Sequence, residues 1–234
     1  MDTRGSDFGY KVSLDHKLAD GSTLKVGNEL HRQTLNEWWP PVTGKPGMCC
    51  NTYELIDDGE RTRLGTFIEI DKKLSDAVSL VAGLRNDVVW MNTENVQGYN
   101  VNPMMGYGAD AAAFNAKDHS KTDVNFDATA LMRYDAGSGF KLEGGYARKT
   151  RSPNFYERYA WSAANTMPGQ MSKNMIGWFG DGNGYIGNLD LDPEVAHNLS
   201  FTASLSSEEK EAWNLSVSPY YSYVHDYIGV TKVN

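Results

Sequence analysis

The chain has 234 residues, a net charge of −8, a hydrophobic fraction of 40% and a mean hydropathy of −0.52. This length fits one large domain or two small ones, and the absence of any run of 18 apolar residues excludes a transmembrane helix. The acidic balance argues against nucleic acid as a partner and against a polybasic membrane anchor.

Eight stretches alternate apolar and polar residues, which is typical of a β-strand with one apolar face, since side chains on a strand have a period of two. The first stretch places Phe8, Tyr10 and Val12 on one face, with polar residues between them. The predicted strands lie near residues 7–18, 22–35, 61–74, 77–91, 124–135, 139–149, 194–206 and 211–226.

The connections between these strands alternate between short and long. Short turns join consecutive strands as hairpins near 19–22, 74–76, 135–138 and 206–210. Long connections cover about 36–60, 92–123 and 150–193. Loops of this length count against a compact soluble domain, whereas outer-membrane barrels turn quickly on one side and carry long extracellular loops on the other. The layout therefore predicts an all-β fold: a portion of an antiparallel transmembrane β-barrel with about eight meander strands.

The distribution of residues over the two faces favours a wide barrel. Tyr and Trp, with 13 and 6 copies, gather near the predicted strand ends, as in interfacial girdles. The polar faces are rich in Gly, Ser, Thr and Asn, with too little bulk to fill the bore of a small barrel. We therefore expect a curved sheet with two unpaired edges. Asn28 and His197 interrupt the apolar face; His197 can sit above the hydrocarbon layer, but the pattern does not explain Asn28.

Two motifs flank the third long connection. Their positions are Tyr146, Ala147, Arg148, Arg151, Ser152, Pro153, Phe155, Glu157 and Tyr159, followed by Gly187, Asn188, Leu191, Pro193 and Glu194. Together they resemble the TonB-dependent outer-membrane receptors, in which Ala usually stands at the position of Ser152. The segment 35–41, Leu-Asn-Glu-Trp-Trp-Pro-Pro, is similar to a subgroup labelled copper receptors.

The resemblance implies properties that the residues alone do not give. Members have about 22 strands around an N-terminal plug. They sit in the outer membrane of Gram-negative cells and import scarce ligands with energy from an inner-membrane TonB complex. The chain starts with a polar segment instead of a signal peptide and has no plug-like part, so we expect residues 1–234 to be a fragment of the barrel domain. Its expected partners are outer-membrane lipid and, through the plug, the TonB complex.

The motif residues themselves suggest a clamp at the entry of a long loop. Pro153 and Pro193 fix the backbone at the loop edges. Arg148, Arg151, Glu157 and Arg158 supply charges that can pair inside the loop-filled mouth of the barrel. We therefore interpret the family motif as mainly structural.

Soft metal ligands gather in the long connections. They are Met48, Cys49 and Cys50 in the first, Met104, Met105 and His119 in the second, and Met167, Met171 and Met175 in the third. Thioether and thiolate sulfur select Cu(I) over hard cations, which makes copper a candidate cargo. Methionine also fills irregular packing gaps, and adjacent cysteines also occur as a strained disulfide or as two unused thiols. An aromatic-rich third loop leaves a ferric siderophore as an alternative, because planar rings stack on organic chelates.

No catalytic constellation is present. The sequence has no nucleophile elbow, no His-Glu-x-x-His and no phosphate loop, so we expect a receptor instead of an enzyme. No cofactor is required; copper or a ferric chelate would be cargo. The remaining alternatives are a self-contained small outer-membrane barrel and a soluble β-sandwich.

Overall fold

A computed structural model describes residues 1–45, 48–104, 106–162, 185–207 and 212–231. The strands are β1 (Asp2–Lys17), β2 (Thr23–Trp39), β3 (Tyr53–Lys73), β4 (Val78–Asn92), β5 (Lys121–Gly137), β6 (Phe140–Arg151), β7 (Glu194–Ser206), β8 (Asn214–Val217) and β9 (Tyr220–His225). The helices are α1 (Gly106–Asn115) and α2 (Phe155–Tyr159). Neither described helix has the length and apolarity needed to cross a membrane.

The strands form one antiparallel sheet in the order β1 to β7, and β8 and β9 both pair with β7. From β1 to β8, each strand pairs with the next along the chain, which confirms the predicted meander. Within the described ranges, β1 pairs only with β2, so the sheet remains open.

The predicted strand over 211–226 is interrupted. β8 ends at Val217 and β9 begins at Tyr220, with Ser218 and Pro219 between them. Proline lacks the backbone N–H that a sheet ladder requires, which explains a break at this position. The carbonyl of Pro219 still accepts a hydrogen bond from the Phe201 N–H at 3.1 Å, so both pieces stay on β7.

The first long connection is shorter than predicted. β2 continues to Trp39 and β3 begins at Tyr53, although 36–60 was expected to be a loop. The two strands stay paired up to Trp39 and Tyr53, with register shifts between Leu35 and Glu37 and again before Trp38. The sequence pattern failed here because this irregular register interrupts the strict alternation on which the prediction relied.

The two faces of the sheet differ as predicted. On the apolar face, Leu84, Phe126 and Phe201 are 63%, 60% and 48% exposed. These side chains therefore do not pack into a closed dry interior. The opposite, polar face carries charged side chains such as Glu29, Arg63, Arg85 and Asp87.

A charged network crosses the polar face near mid-sheet. Glu29 accepts from Arg63 and from Arg85, each at 2.6 Å, and Arg85 also donates to both carboxylate oxygens of Asp87 at 2.6 Å. A Cβ at Gly65 would lie 2.2 Å from the Arg85 guanidinium, so glycine makes room for the network.

Asn28, which the pattern left unexplained, is fully engaged on the apolar face. Its amide donates to the Gly65 carbonyl at 3.0 Å and to the Thr66 hydroxyl at 3.1 Å. Its oxygen accepts from the Tyr10 hydroxyl at 2.9 Å. These bonds satisfy the amide locally, which offsets the cost of placing a polar group on an apolar surface.

Candidate ligand-binding mouth

At the loop end of the sheet, the long connections fold back over the polar face and bury it. We name the resulting hydrophobic cluster the loop core. Its members are Trp39, Tyr53, Leu55, Ile56, Val89, Met91, Val96, Tyr99, Tyr107, Ala111, Phe114, Phe155, Tyr159, Ala160, Trp161 and Leu189. Strand residues such as Val89 and Met91 contribute to the loop core from the polar face of the sheet, and loop residues pack over them.

Tyr53 is the aromatic centre of the loop core. Its ring stacks on Trp161 at a centroid distance of 5.1 Å and meets Tyr107 edge-on at 5.3 Å. The Trp161 indole N–H also donates to the Glu54 carbonyl at 3.0 Å. Strand β3 is therefore joined to the second and third long connections through one set of rings, a contact geometry that aromatic side chains favour.

The short helix α2 begins with a capping box in the family motif. The Asn154 side chain accepts from the Glu157 N–H at 2.9 Å, and Glu157 accepts from the Asn154 N–H at 2.7 Å. These reciprocal bonds satisfy backbone donors that a helix start leaves open. Pro153, directly before the cap, is fully buried.

Arg151 joins the two halves of the motif at the end of β6. Its guanidinium lies 2.8 Å from Glu157 in α2 and 2.6 Å from Glu194, the first residue of β7. Charge-assisted bonds of this kind are among the stronger side-chain contacts. The third long connection is therefore held where it leaves the sheet and where it returns.

Arg158 makes a buried ion pair below α2. The guanidinium, 2% exposed, meets both oxygens of Asp123 at 3.0 and 3.2 Å, and it donates to the Leu191 carbonyl at 2.9 Å. A buried charge is tolerated only when it is paired and hydrogen-bonded, as here. This pair attaches the motif segment to strand β5.

The second half of the motif packs against the end of α2. The Gly187 N–H donates to the Ala160 carbonyl at 2.6 Å, and the Asn188 N–H donates to the Glu157 carbonyl at 2.8 Å. A Cβ at Gly187 would lie 2.8 Å from the carbonyl oxygens of Tyr156 and Glu157. Only glycine permits this close approach.

Other motif residues separate into core and surface. Phe155 and Tyr159 belong to the loop core, and the Tyr159 hydroxyl donates to the His119 carbonyl at 2.9 Å. Pro193 is half-buried where the chain re-enters the sheet. Arg148 differs from the expectation of pairing inside the mouth, because it lies on the apolar face and donates to the Phe126 carbonyl.

The soft-ligand candidates are spread over several environments. Met48 packs against the loop core, while the Cys49 and Cys50 sulfurs are free and lie 2.7 Å apart, with Cys50 at a φ of 95°. Met104 is 84% exposed. The contact with Cys49 raises the pKa of the Cys50 thiol. Met105, Met167, Met171 and Met175 lie outside the described residues.

His119 is occupied by structural contacts. Its Nδ1 lies 3.1 Å from the Thr93 carbonyl and its Nε2 lies 2.9 Å from the Phe114 carbonyl. The ring also stacks on Phe114. A metal would have to replace one of these contacts. Among the described residues, no group of three or more His, Cys, Asp or Glu side chains could hold a metal ion.

Sequence reasoning missed several residues that shape the mouth. Asp123 and Glu37 are nearly completely buried at the loop ends of their strands. The Tyr156 hydroxyl donates to Glu37 at 2.5 Å. Burial, and then this contact, raises the pKa of Tyr156 above its usual value. The sequence gives no pattern from which the partner of a single acidic residue at a strand end could be predicted.

The comparisons with known proteins agree with this architecture. An open antiparallel meander with one exposed apolar face and loops gathered at one end defines a segment of a β-barrel wall. The family model described as TonB dependent receptor-like, beta-barrel, matches residues 2–234, so the chain belongs to that family. This confirms the resemblance drawn from the two motifs.

Three solved structures share the fold. The copper transporter OprC has a TM-score of 0.67 at 16% identity, covering 96% of this chain and 30% of that one. The siderophore receptor PirA from Pseudomonas aeruginosa has a TM-score of 0.57 at 18% identity, covering 94% and 32%. A double mutant of the Serratia marcescens hemophore receptor HasR, in complex with its hemophore HasA and heme, has a TM-score of 0.59 at 15% identity, covering 96% and 34%.

The chain therefore spans about a third of the length of these structural neighbours. At such identities the likeness establishes the fold alone. No curated protein sequence matches the chain.

Proposed function

We propose that residues 1–234 form part of the barrel domain of a TonB-energised outer-membrane receptor that binds and imports a scarce ligand. The observation that carries this proposal is the family match over residues 2–234. A plug domain outside this chain would occupy the lumen and engage the inner-membrane TonB complex. Within the described ranges the outer edge of β1 is unpaired, which argues against the alternative of a self-contained small barrel, because a closed barrel leaves no edge.

In this proposal the apolar face contacts outer-membrane lipid. Leu84, Phe126 and Phe201 are exposed on this face, where they suit contact with hydrocarbon. The polar face, with its Glu29–Arg63–Arg85–Asp87 network, then lines the aqueous lumen. Purifying the full receptor tests this placement: recovery as a monomer without detergent would contradict it.

The cargo we propose is copper, bound by sulfur ligands of the first long connection. Two free thiols, Cys49 and Cys50, lie side by side at the mouth, and the side chain of Met48 is adjacent in the chain. Sulfur ligands select Cu(I). A ferric siderophore remains the alternative, although Tyr159, Trp161 and Tyr185 are buried and therefore poorly placed to stack on an incoming chelate.

Titration of the full-length receptor with Cu(I) and with ferric chelates separates these cargoes. We expect Cu(I) binding to weaken strongly in a double C49S/C50S variant. Met132→Leu is the matched control, because Met132 is an exposed sulfur residue in strand β5, outside the set of candidate ligands. Equal Cu(I) affinity in the wild type and the double variant would contradict the thiol site. If the receptor binds only the ferric chelate tightly, the result would favour a ferric siderophore as the cargo instead of copper.

A further inference from the structure

A groove of about 800 Å³ crosses the apolar face from β1 to β6. Its walls are mainly aliphatic and aromatic, with Val26, Ile68, Leu84 and Phe126 among them. Arg148 lines the same groove at its β6 end. A guanidinium on a mainly apolar surface is unusual, because exposing it to hydrocarbon is costly at mid-membrane and less so near the interface.

Arg148 has no carboxylate partner among the described residues. Its guanidinium donates to the Phe126 carbonyl, which leaves most of its five donors open. Arg32, on the same face, pairs with Glu60. Asp127, which also lines the groove, already accepts from Lys149 and Thr150. Arg148 is therefore available to an external anion.

The neighbours of Arg148 extend this polar site over strands β6, β7 and β9. His197 lies directly opposite Arg148 across the β6–β7 pair, and residues opposite each other share a face. The Tyr146 hydroxyl lies 2.8 Å from His197 Nδ1, and the His225 ring lies 5.7 Å from the His197 ring. Arg148 stands three positions before the loop end of β6. Tyrosines at this level are typical of the membrane interface, where headgroups lie.

We propose that this site binds a membrane lipid with a phosphorylated headgroup. The phosphate meets Arg148 and the His197 imidazole, and an acyl chain lies in the groove past Phe126 and Leu84. Guanidinium groups match phosphate geometry with paired N–H donors. The groove continues directly from Arg148, so the occupant combines an anion with a hydrocarbon chain. This inference rests on the proposed function, because the apolar face must contact the membrane.

Native mass spectrometry of the detergent-solubilised full-length receptor tests the site. The probes are phosphatidic acid, diacylglycerol with the same acyl chains, and inorganic phosphate. We expect retention of phosphatidic acid and about tenfold weaker retention in Arg148→Gln, as for loss of a hydrogen bond to a charged group. Arg32→Gln is the matched control on the same face, and it should retain the lipid like the wild type. Ala128→Trp, opposite Arg148 on β5, should also weaken retention by filling the groove.

The outcomes are distinguishable from failure of the proposed function. Equal binding of phosphatidic acid and diacylglycerol, or equal losses in Arg148→Gln and Arg32→Gln, would overturn the lipid site in a receptor that still requires detergent. Displacement of the lipid by inorganic phosphate at millimolar concentration would also overturn it, since the phosphate group alone would then account for binding. A receptor that is soluble without detergent would overturn the membrane placement itself.

Discussion

The two ends of the sheet use the same ion-pair chemistry in opposite settings. At the loop end, Arg158 and Asp123 pair at 3.0 Å with side chains 1% and 7% exposed. Toward the turn end, Arg133 and Glu143 pair at 2.7 Å with side chains 55% and 41% exposed. Distance alone would rank the exposed pair, at 2.7 Å, above the buried pair, at 3.0 Å. Burial separates them, because water screens one pair and is excluded from the other.

The difference arises from the connections. The turns between β1 and β2, between β3 and β4 and between β5 and β6 are too short to cover anything. The long connections bring Tyr99, Tyr107 and Trp161 over the strand ends and close the loop core. Contacts at the loop end should therefore control stability, while matched contacts at the turn end should matter little.

Replacing Arg158 by Met should have the largest effect. Removing one partner leaves Asp123 as an unpaired buried charge, which costs about 3–5 kcal/mol. Thermal and urea unfolding in detergent, followed by tryptophan fluorescence, measures the loss. Arg133→Met is the control at the turn end, with an expected cost of about 0–1 kcal/mol.

A double variant sharpens this test. Adding Asp123→Leu to Arg158→Met removes the orphaned charge and should recover part of the lost stability, because the two residues act as a pair. Similar losses in Arg158→Met and Arg133→Met would show that burial does not separate the two ends.

Substituting Gly187 by Ala should have the next largest effect. The new Cβ would press on the carbonyl oxygens of Tyr156 and Glu157 at 2.8 Å, and overpacking of this kind costs about 1–3 kcal/mol. Gly144→Ala is the matched control in β6, since a Cβ there meets only the Phe201 ring at 4.0 Å. Limited proteolysis of the loop end should accelerate only in Gly187→Ala; equal cleavage of both variants would contradict the close-packing argument.

Changing Glu157 to Gln should have an intermediate effect of about 1 kcal/mol, because the carboxylate serves both the capping box and Arg151. Glu194→Gln removes the other partner of Arg151 but leaves the cap intact. Glu194 also accepts from the Ile228 N–H at 2.7 Å, so the difference in unfolding midpoint compares the helix cap with this second bond of Glu194. A larger loss in Glu194→Gln would assign the stabilisation to the contacts of Glu194 instead of to the cap.

The strand pattern was predictable because it depends on local alternation. Hairpins such as β5–β6 and the exposure of Leu84 and Phe126 follow directly from a period of two. Pro219 indicates the break before Tyr220, because proline is unfavourable within a strand. The alternation of apolar and polar residues continues on both sides of Pro219, so the sequence pattern predicted one uninterrupted strand.

The partners inside the mouth were not predictable. Asp123 and Arg158 are 35 positions apart, and Glu37 and Tyr156 are 119 apart. Such contacts depend on how loops fold over a surface, which no local period encodes. The family motif led to the prediction that its charged residues pair with one another. The alternation of apolar and polar residues, if followed through β6, would have placed Arg148 on the apolar face, where the structure has it.

The turn end supplies the smallest expected effect, in the β1–β2 turn. Asp20 accepts from Lys72 and from the Ser22 N–H, each at 3.0 Å. These contacts, the Lys72 bond first, lower the pKa of Asp20 to about 2. A carboxyl group whose pKa is lowered in the folded state stabilises the fold at pH values above its pKa in the unfolded chain. This stabilisation is lost as the pH falls toward 2. Asp20→Asn should therefore lower the unfolding temperature by less than about 2 °C at pH 7, since the ion pair with Lys72 is exposed to solvent. The gap between wild type and variant should close between pH 4 and pH 2, and a gap that persists at pH 2 would assign the effect to the turn geometry instead of to charge.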